Sequence, residues 1–120
     1  HRGQRTDIHV DAVTQTAPGK PYDSLSVIIE CKGCWNPELY DALKDQLVGM
    51  YLKDNHCQHG LYLVGWFNCV NWSEKDGRKG RAEKLCPTID DTRRTLADSA
   101  TNLSNGPIRI RSVVLDASLH

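Results

Sequence analysis

A carboxylate and an amine stand two positions apart at the end of an apolar run, in the stretch Ser26–Lys32. We predict a strand over residues 24–32, ended by Gly33, because β-branched residues favour extended backbone. Side chains alternate between the two faces of a strand, so Glu30 and Lys32 point to the same side. The residues expected on the opposite face are Val27, Ile29 and Cys31. The charged and apolar sets separate only at the carboxyl end of the strand, where we expect a site.

A second acidic side chain, Asp7, lies in an earlier stretch, residues 6–13, that alternates polar and apolar residues. This alternation is typical of a strand with one wet face. The Pro-Gly pair within residues 16–23 predicts a turn or loop between the two strands. If the strands form a hairpin, Asp7 lies beside Glu30. Asp11 shares the wet face and is an alternative to Asp7, with His9 as a neighbour of the site. The residues predicted to point inward are Ile8, Val10 and Ala12.

Taken alone, Glu30 and Lys32 have a simpler interpretation. An acid and a base at a strand end often form an ion pair on a solvated surface, and such pairs contribute little to stability. The acidic strand that precedes them favours a functional site over this interpretation.

The order of these residues resembles the motif of the PD-(D/E)XK nuclease superfamily. The matching residues are Asp7 in Arg5-Thr6-Asp7-Ile8, then Glu30-Cys31-Lys32, followed by a predicted helix. The resemblance covers residues 5–67 and implies an α/β fold of the restriction-endonuclease-like type, a mixed β-sheet flanked by helices. The chain departs from the pattern at Thr6, where Pro is usual, and in the long gap between Asp7 and Glu30.

The resemblance implies a nuclease that uses Mg²⁺ or Mn²⁺ to hydrolyse phosphodiester bonds of nucleic acid, with DNA as the expected substrate. It implies that Asp7, Glu30 and the backbone carbonyl of Cys31 bind the metal, and oxygen ligands suit such a hard cation. It implies that Lys32 orients the attacking water and offsets developing charge. The alternative is a non-catalytic module of the same fold that binds nucleic acid or a protein partner.

A helix is predicted from Asn36-Pro37-Glu38 to about Lys53, because Asn, Pro and Glu are favoured at helix starts. Its apolar stripe consists of Leu39, Leu43, Leu47 and Met50. Gln46 lies within that stripe, about 20° from Leu39 on a wheel of about 100° per residue. A polar amide there needs a partner.

That partner of Gln46 is either a backbone carbonyl or loop, or the Asp/Glu/Lys site itself. The resemblance favours the site, because some branches of the superfamily carry a helix Gln followed by a Tyr with three residues between. Four residues separate Gln46 from Tyr51 here, so only Gln46 is assigned to the catalytic set.

The remaining elements are a buried central strand, a polar stretch, a second helix and a last strand. The central strand is predicted over residues 61–67, covered on both faces because it is nearly continuously apolar. The helix begins at Thr88, with Ile89, Thr92, Leu96, Ala100 and Leu103 inward. Residues 108–115 form the last strand, which the strand-helix-strand order places parallel to the central one.

Residues 68–87 are polar and are expected to be irregular. Their basic residues are Lys75, Arg78, Lys79, Arg81 and Lys84. The stretch is either an exposed loop or an arm that contacts phosphates at the mouth of the site. Trp72 could stack on an unpaired base. Arg93 and Arg94, at the start of the second helix, are expected to be solvated.

Length and charge limit the class of protein. The chain has 120 residues, enough for one domain spanning 1–120, and starts without Met, so we expect a piece of a longer protein with further domains as partners. Fifteen basic and fifteen acidic residues cancel, so attraction to phosphate must be local. No apolar run reaches the length of a membrane span, and no membrane partner is expected. A homodimer is compatible with the sequence.

Five cysteines favour reduced thiols in the cytoplasm over a disulfide framework. The alternative is a structural zinc site built on Cys31 and Cys34, with Cys57 and either His56 or His59. Only one Cys-x-x-Cys pair is present, which favours cysteines packed as small hydrophobic residues.

Overall fold

The chain folds into a four-stranded mixed sheet with helices packed on it. The structure is a computed structural model and describes residues 8–14, 23–54 and 56–119. The strands are β1 (Ile8–Thr14), β2 (Asp23–Gly33), β3 (His59–Trp66) and β4 (Arg109–Asp116). The helices are α1 (Leu39–Ala42), a π-helix that continues it (Leu43–Leu52), α2 (Gly77–Leu85) and α3 (Ile89–Leu103). The predicted α/β class is confirmed.

The sheet has the strand order β1-β2-β3-β4. Strands β1 and β2 form the predicted antiparallel hairpin, with Ile8 opposite Ile29 and Asp11 opposite Ser26. Strand β3 is parallel to β4, as the strand-helix-strand order predicts, and it is also parallel to β2. The chain thus places the carboxyl ends of β2, β3 and β4 along one edge of the sheet.

One face of the sheet carries the core. The strand residues buried there are Ile28, Tyr62, Val64, Ile110 and Val114. The helix residues that pack on them include Leu39, Leu43, Leu47, Leu96 and Ala100. Burial of these side chains is the main stabilising term, since each large apolar side chain contributes about 1.5–3 kcal/mol.

The opposite face is more open than the sequence suggests. Ile8 and Val10, predicted to point inward, are 44% and 43% exposed. In β3 the burial alternates, with Tyr62 buried and its neighbours half-buried, so the expectation of a strand covered on both faces is wrong for the described residues. Alternation along one strand separates two faces, but contacts with distant helices decide which face is covered.

The first helix differs from a regular α-helix. The side chain of Asn36 accepts a hydrogen bond from the backbone amide of Glu38 at 2.8 Å, and the helix begins at Leu39. After Ala42 it continues as a π-helix of 10 residues to Leu52. A π-helix bonds each residue to the fifth one along, so the predicted 3.6-residue wheel does not describe this segment.

Helix α2 lies where an irregular stretch was expected, so that expectation is wrong. The side chain of Asp76 caps the helix by accepting a hydrogen bond from the backbone amide of Arg78 at 3.0 Å. Ala82 is completely buried on its inner face. Gly77 and Gly80 weaken the helix signal in the sequence, since glycine costs about 1 kcal/mol in a helix interior.

Helix α3 agrees with the prediction in both position and orientation. The hydroxyl of Thr88 accepts a hydrogen bond from the backbone amide of Asp91 at 3.2 Å and caps the helix. Thr92, Leu96 and Ala100 face the core. None of the helices formed by the described residues combines the length and apolar composition needed to cross a bilayer.

Raising the pH is expected to destabilise the fold through Tyr62. Burial raises the pKa of the Tyr62 phenol from its ordinary value of 10.0, and the charges of Glu30 and Glu38 raise it further. The folded state keeps a proton that the unfolded chain releases, so this contribution is complete below about pH 10 and is lost as the pH rises toward the folded-state pKa. The free energy of unfolding should fall by about 1.4 kcal/mol per pH unit above about pH 10 for this group, as measured by urea denaturation.

Tyr62→Phe should remove that slope. At neutral pH it should cost about 0.5–1.5 kcal/mol, because the hydroxyl donates a hydrogen bond to the carbonyl of Leu39. A second slope from Tyr40 should remain, since burial and the Cys86 thiol raise the pKa of Tyr40 to about 12. A pH dependence identical in wild type and Tyr62→Phe would contradict the prediction.

Candidate active site

Glu30 and Lys32 form an ion pair in the interior. Lys32 Nζ lies 3.2 Å from Glu30 Oε1. The Lys32 side chain is 14% exposed and the Glu30 side chain is 3% exposed. The two residues share a face of β2, as the sequence predicts, but that face also carries the buried Ile28. The interpretation as a solvated surface pair is therefore wrong. A carboxylate taken out of water costs several kcal/mol unless it is paired, so such a pair is weak evidence for stability and a reason to look for function.

Tyr62 lies opposite Glu30 on the neighbouring strand β3. Burial raises the pKa of its phenol, and the charges of Glu30, Glu38 and Asp41 raise it further. The Tyr62 hydroxyl donates a hydrogen bond to the carbonyl of Leu39 at 2.6 Å, so the backbone engages its proton. Tyr62 thus belongs to the buried surroundings of Glu30.

Gln46 is half-buried and its amide donates a hydrogen bond to Glu38 Oε2 at 2.9 Å. The sequence predicts that this amide needs a partner, which is confirmed. The partner is the side chain of Glu38, an exposed residue in the turn before the helix, so the loop interpretation is the one that holds and the printed partner of Gln46 is not Glu30. The structure thus adds Glu38 to the residues around Gln46. Tyr51 is buried on the same π-helix.

Asp7 lies outside the described residues. The described ladder between β1 and β2 ends at the pair of Ile8 and Ile29, which are the sequence neighbours of Asp7 and Glu30. Cys31 lies between Glu30 and Lys32, so its side chain points to the opposite face of the strand, where it is half-buried.

Asp11 is too far along the hairpin to act with Glu30. It lies opposite Ser26, four residues before Glu30, which corresponds to about 13 Å along a strand. The hydroxyl of Ser26 donates a hydrogen bond to Asp11, and His9 Nε2 lies 3.2 Å from the Asp11 carboxylate. These exposed side chains form their own group, so the structure rules out Asp11 as the acid beside Glu30.

The proposed zinc ligands do not come together. Cys34 follows the carboxyl end of β2, whereas the Cys57 thiol donates to the carbonyl of Ser26, eight residues earlier, which corresponds to about 26 Å along a strand. Burial raises the pKa of Cys34, which disfavours the thiolate that zinc needs. None of the five cysteines forms a disulfide, and no three His, Cys, Asp or Glu side chains cluster among the described residues.

The basic residues after β3 do not all face solvent. Lys79 is 8% exposed, and its amine contacts Glu74 and donates to the carbonyl of Trp72 at 3.1 Å, so it is not available to phosphate. Arg93 donates to the carbonyl of Val114, and Arg94 pairs with Asp91 at 2.6 Å. Both arginines are exposed, as expected, but each is held by the fold.

Comparisons of the chain with protein-family models, with curated proteins and with solved structures found no significant match.

Proposed function

We propose that the chain is a metal-dependent nuclease of the PD-(D/E)XK type, with a restriction-endonuclease-like fold, that hydrolyses phosphodiester bonds of DNA. The observation that carries this proposal is the buried Glu30–Lys32 pair near the carboxyl end of β2. A strand that ends in a buried acid and base, within a hairpin followed by a helix and a parallel strand, matches the motif and its order. A buried ion pair contributes little to stability by itself, so function is the better reason for it.

The donor set fits a hard divalent cation. Glu30, Asp7 and the backbone carbonyl of Cys31 would hold Mg²⁺ or Mn²⁺, and all three supply oxygen. When bound, the metal would polarise the scissile phosphate and lower the pKa of a bound water. Of these ligands, the Glu30 side chain is 3% exposed, and its carboxylate lies beside Lys32.

Lys32 would position the attacking water and offset the negative charge that develops on the phosphate. Its amine is held 3.2 Å from Glu30, so base and metal ligand share one side of the strand. The exposed cations of α2 would contact the DNA backbone. The five free thiols support a reducing compartment, and we propose a cytoplasmic location.

The proposal is tested by incubating the purified chain with linear and with circular DNA, in Mg²⁺, in Mn²⁺ and in a chelator. Cleavage that requires the metal is the expected result, and nicking of the circle would identify an endonuclease. Metal binding without cleavage under any condition would favour the non-catalytic module. Neither metal binding nor cleavage would overturn the assignment of this site.

Gln46→Ala is expected to lower the cleavage rate about 10-fold, the low end of the range for groups that act on a metal site without binding the metal. Its amide holds Glu38, which is not itself a proposed metal ligand, so the substitution would release a carboxylate whose charge, like that of Glu30, acts on Tyr62. The expected signature is a higher Mg²⁺ concentration for half-maximal activity. Gln58→Ala, an exposed glutamine at the opposite edge of the sheet, is the matched control. Equal Mg²⁺ requirements in both variants would contradict a positioning role for Gln46.

A further inference from the structure

Three aromatic rings meet just beyond the carboxyl ends of β2 and β3. The centroid of Trp35 lies 5.4 Å from that of Phe67 and 6.1 Å from that of Trp72, and the rings are tilted against each other. They line a cavity of about 340 Å³, whose lining also includes Asn71, Arg78 and Leu119. We call this cavity the aromatic pocket. Ligands of open α/β sheets bind outside the carboxyl ends of the strands, which is where this pocket lies.

Two glycines hold the rings against the sheet. Gly33 and Gly65 are paired on neighbouring strands, at the end of β2 and near the end of β3. A Cβ atom on Gly33 would lie 2.3 Å from the Trp35 ring, and one on Gly65 would lie 2.7 Å from the Phe67 ring. The rings therefore rest directly on the backbone. Gly33 follows Lys32 in β2, and neighbouring residues of a strand point to opposite faces. The rings that rest on Gly33 and Gly65 therefore lie on the face of the sheet opposite Lys32.

Asp76 organises the other wall of the pocket. It accepts hydrogen bonds from the Trp72 indole at 3.0 Å and from Arg78 Nη2 at 2.7 Å. These donors lower the pKa of Asp76 well below its ordinary value, so it stays ionised. The Arg78 guanidinium lies 4.9 Å from the centroid of the Trp35 ring. The guanidinium lies over the Trp35 ring, so a planar π system would stack on the guanidinium that Trp35 supports or on the rings of Phe67 and Trp72, which also line the pocket.

Positive charge continues from the pocket along α2. Arg78, Arg81 and Lys84 are exposed, and they fall within an arc of about 120° on a helical wheel. Glu83 lies outside this arc, and Lys79 is neutralised by Glu74. The charge of Arg78 is offset by Asp76, which its Nε and Nη2 atoms bind, so Arg81 and Lys84 supply the net positive charge of this row. A ligand seated in the pocket would thus have a row of cations beside it, which complements a chain of phosphates.

We propose that the aromatic pocket stacks an unpaired base of a nucleic-acid strand whose neighbouring phosphates contact Arg78, Arg81 and Lys84. The proposal rests on the proposed function, since it takes nucleic acid as the substrate, and it names the class as strands with unpaired bases. Trp35 follows Lys32 by three residues, so their α-carbons are within about 11 Å. The pocket and the Glu30–Lys32 pair lie on opposite faces of the sheet, so a nucleic-acid strand would pass round the carboxyl end of β2 to contact both.

The test is equilibrium binding without divalent metal, so that cleavage plays no part. Fluorescence anisotropy compares a labelled single-stranded oligonucleotide with its blunt duplex, for the wild type and for Trp35→Leu. Tighter binding of the single strand is expected, and Trp35→Leu should weaken it about 5- to 100-fold while leaving the duplex unchanged, because each base stacked on an aromatic ring contributes about that much. Arg81→Gln should weaken both substrates alike, since phosphate contacts carry no sequence or base information.

Trp66→Leu is the matched control, because Trp66 lies at the same edge of the sheet but outside the pocket. The preference of the Trp66→Leu variant for the single strand should equal that of the wild type. Gly33→Ala, which must displace the Trp35 ring, is the second variant should Trp35→Leu fail to fold. Equal affinity for single strand and duplex, or single-strand affinity within twofold of wild type in both pocket variants, overturns the pocket. If the wild type binds the single strand as expected but cleaves no DNA, the proposed nuclease activity is overturned and the pocket is not. If the wild type cleaves duplex DNA but does not bind the single strand, the pocket is overturned and the nuclease activity is not.

Discussion

Glu30→Gln is expected to reduce Mg²⁺-dependent cleavage of DNA by about a hundredfold or more. Glutamine keeps the size of the side chain but removes the charge that attracts the metal. A bound metal supplies several kcal/mol of transition-state stabilisation, and about 1.4 kcal/mol corresponds to a factor of ten in rate. Glu30 is 2% exposed, so another acid on the surface cannot take its place in the interior. The measurement is the single-turnover cleavage rate against Mg²⁺ concentration.

The matched control is Asp98→Asn, which neutralises an exposed carboxylate on α3 and should leave the cleavage rate unchanged. Glu30→Gln leaves Lys32 without its carboxylate partner, so the variant must first be shown to be folded by its urea denaturation midpoint. Isothermal calorimetry should show weaker Mg²⁺ binding in the folded variant. Wild-type cleavage by a folded Glu30→Gln protein would remove Glu30 from the site.

Lys32→Met is expected to slow cleavage by about 10²- to 10³-fold, the range for removing one group that stabilises transition-state charge. Methionine preserves most of the aliphatic stem, which matters because the Lys32 side chain is only 14% exposed. Mg²⁺ binding should be kept or tightened, since a cation 3.2 Å from Glu30 Oε1 competes with the metal for this oxygen. Loss of rate with retained metal binding separates the role of Lys32 from that of Glu30.

Stability supplies a second readout for Lys32→Met. Removing one partner of a buried ion pair costs about 3–5 kcal/mol, because the other charge stays in the interior. A metal that binds only the folded state would recover part of this cost. The denaturation midpoint of Lys32→Met should therefore rise more on adding Mg²⁺ than that of wild type. A variant with no Mg²⁺ response and full activity would show that the pair is structural.

Local signals in the sequence were sufficient for most of the elements. The β-branched run of β2 and the Thr88 cap of α3 each predict an element whose position the structure confirms. Helix α2 was missed because Gly77 and Gly80 weaken its signal, while its stability comes from the Asp76 cap and from burial of Ala82. Propensity is a weak guide where tertiary contacts supply the stabilisation.

The candidate site was predicted in part. The positions of Glu30 and Lys32 on one side of a strand follow from backbone alternation and required no knowledge of the fold. Their burial, the addition of Glu38 through Gln46, and the exclusion of Asp11 depend on the hairpin register and on the π-helix. The π-helix itself could not be read from an apolar stripe that assumes 3.6 residues per turn.

The sequence by itself determined the order of the strands, the positions of the first helix and of α3, and the shared orientation of Glu30 and Lys32, because these depend on backbone geometry over a few residues. Only the tertiary structure decided that the face bearing this pair is the covered one, since the helices that cover it lie up to about 70 positions further along the chain. The aromatic pocket is likewise tertiary. Trp35 follows β2, whereas Phe67 and Trp72 follow β3, and parallel pairing of β2 with β3 brings the three rings to one edge of the sheet.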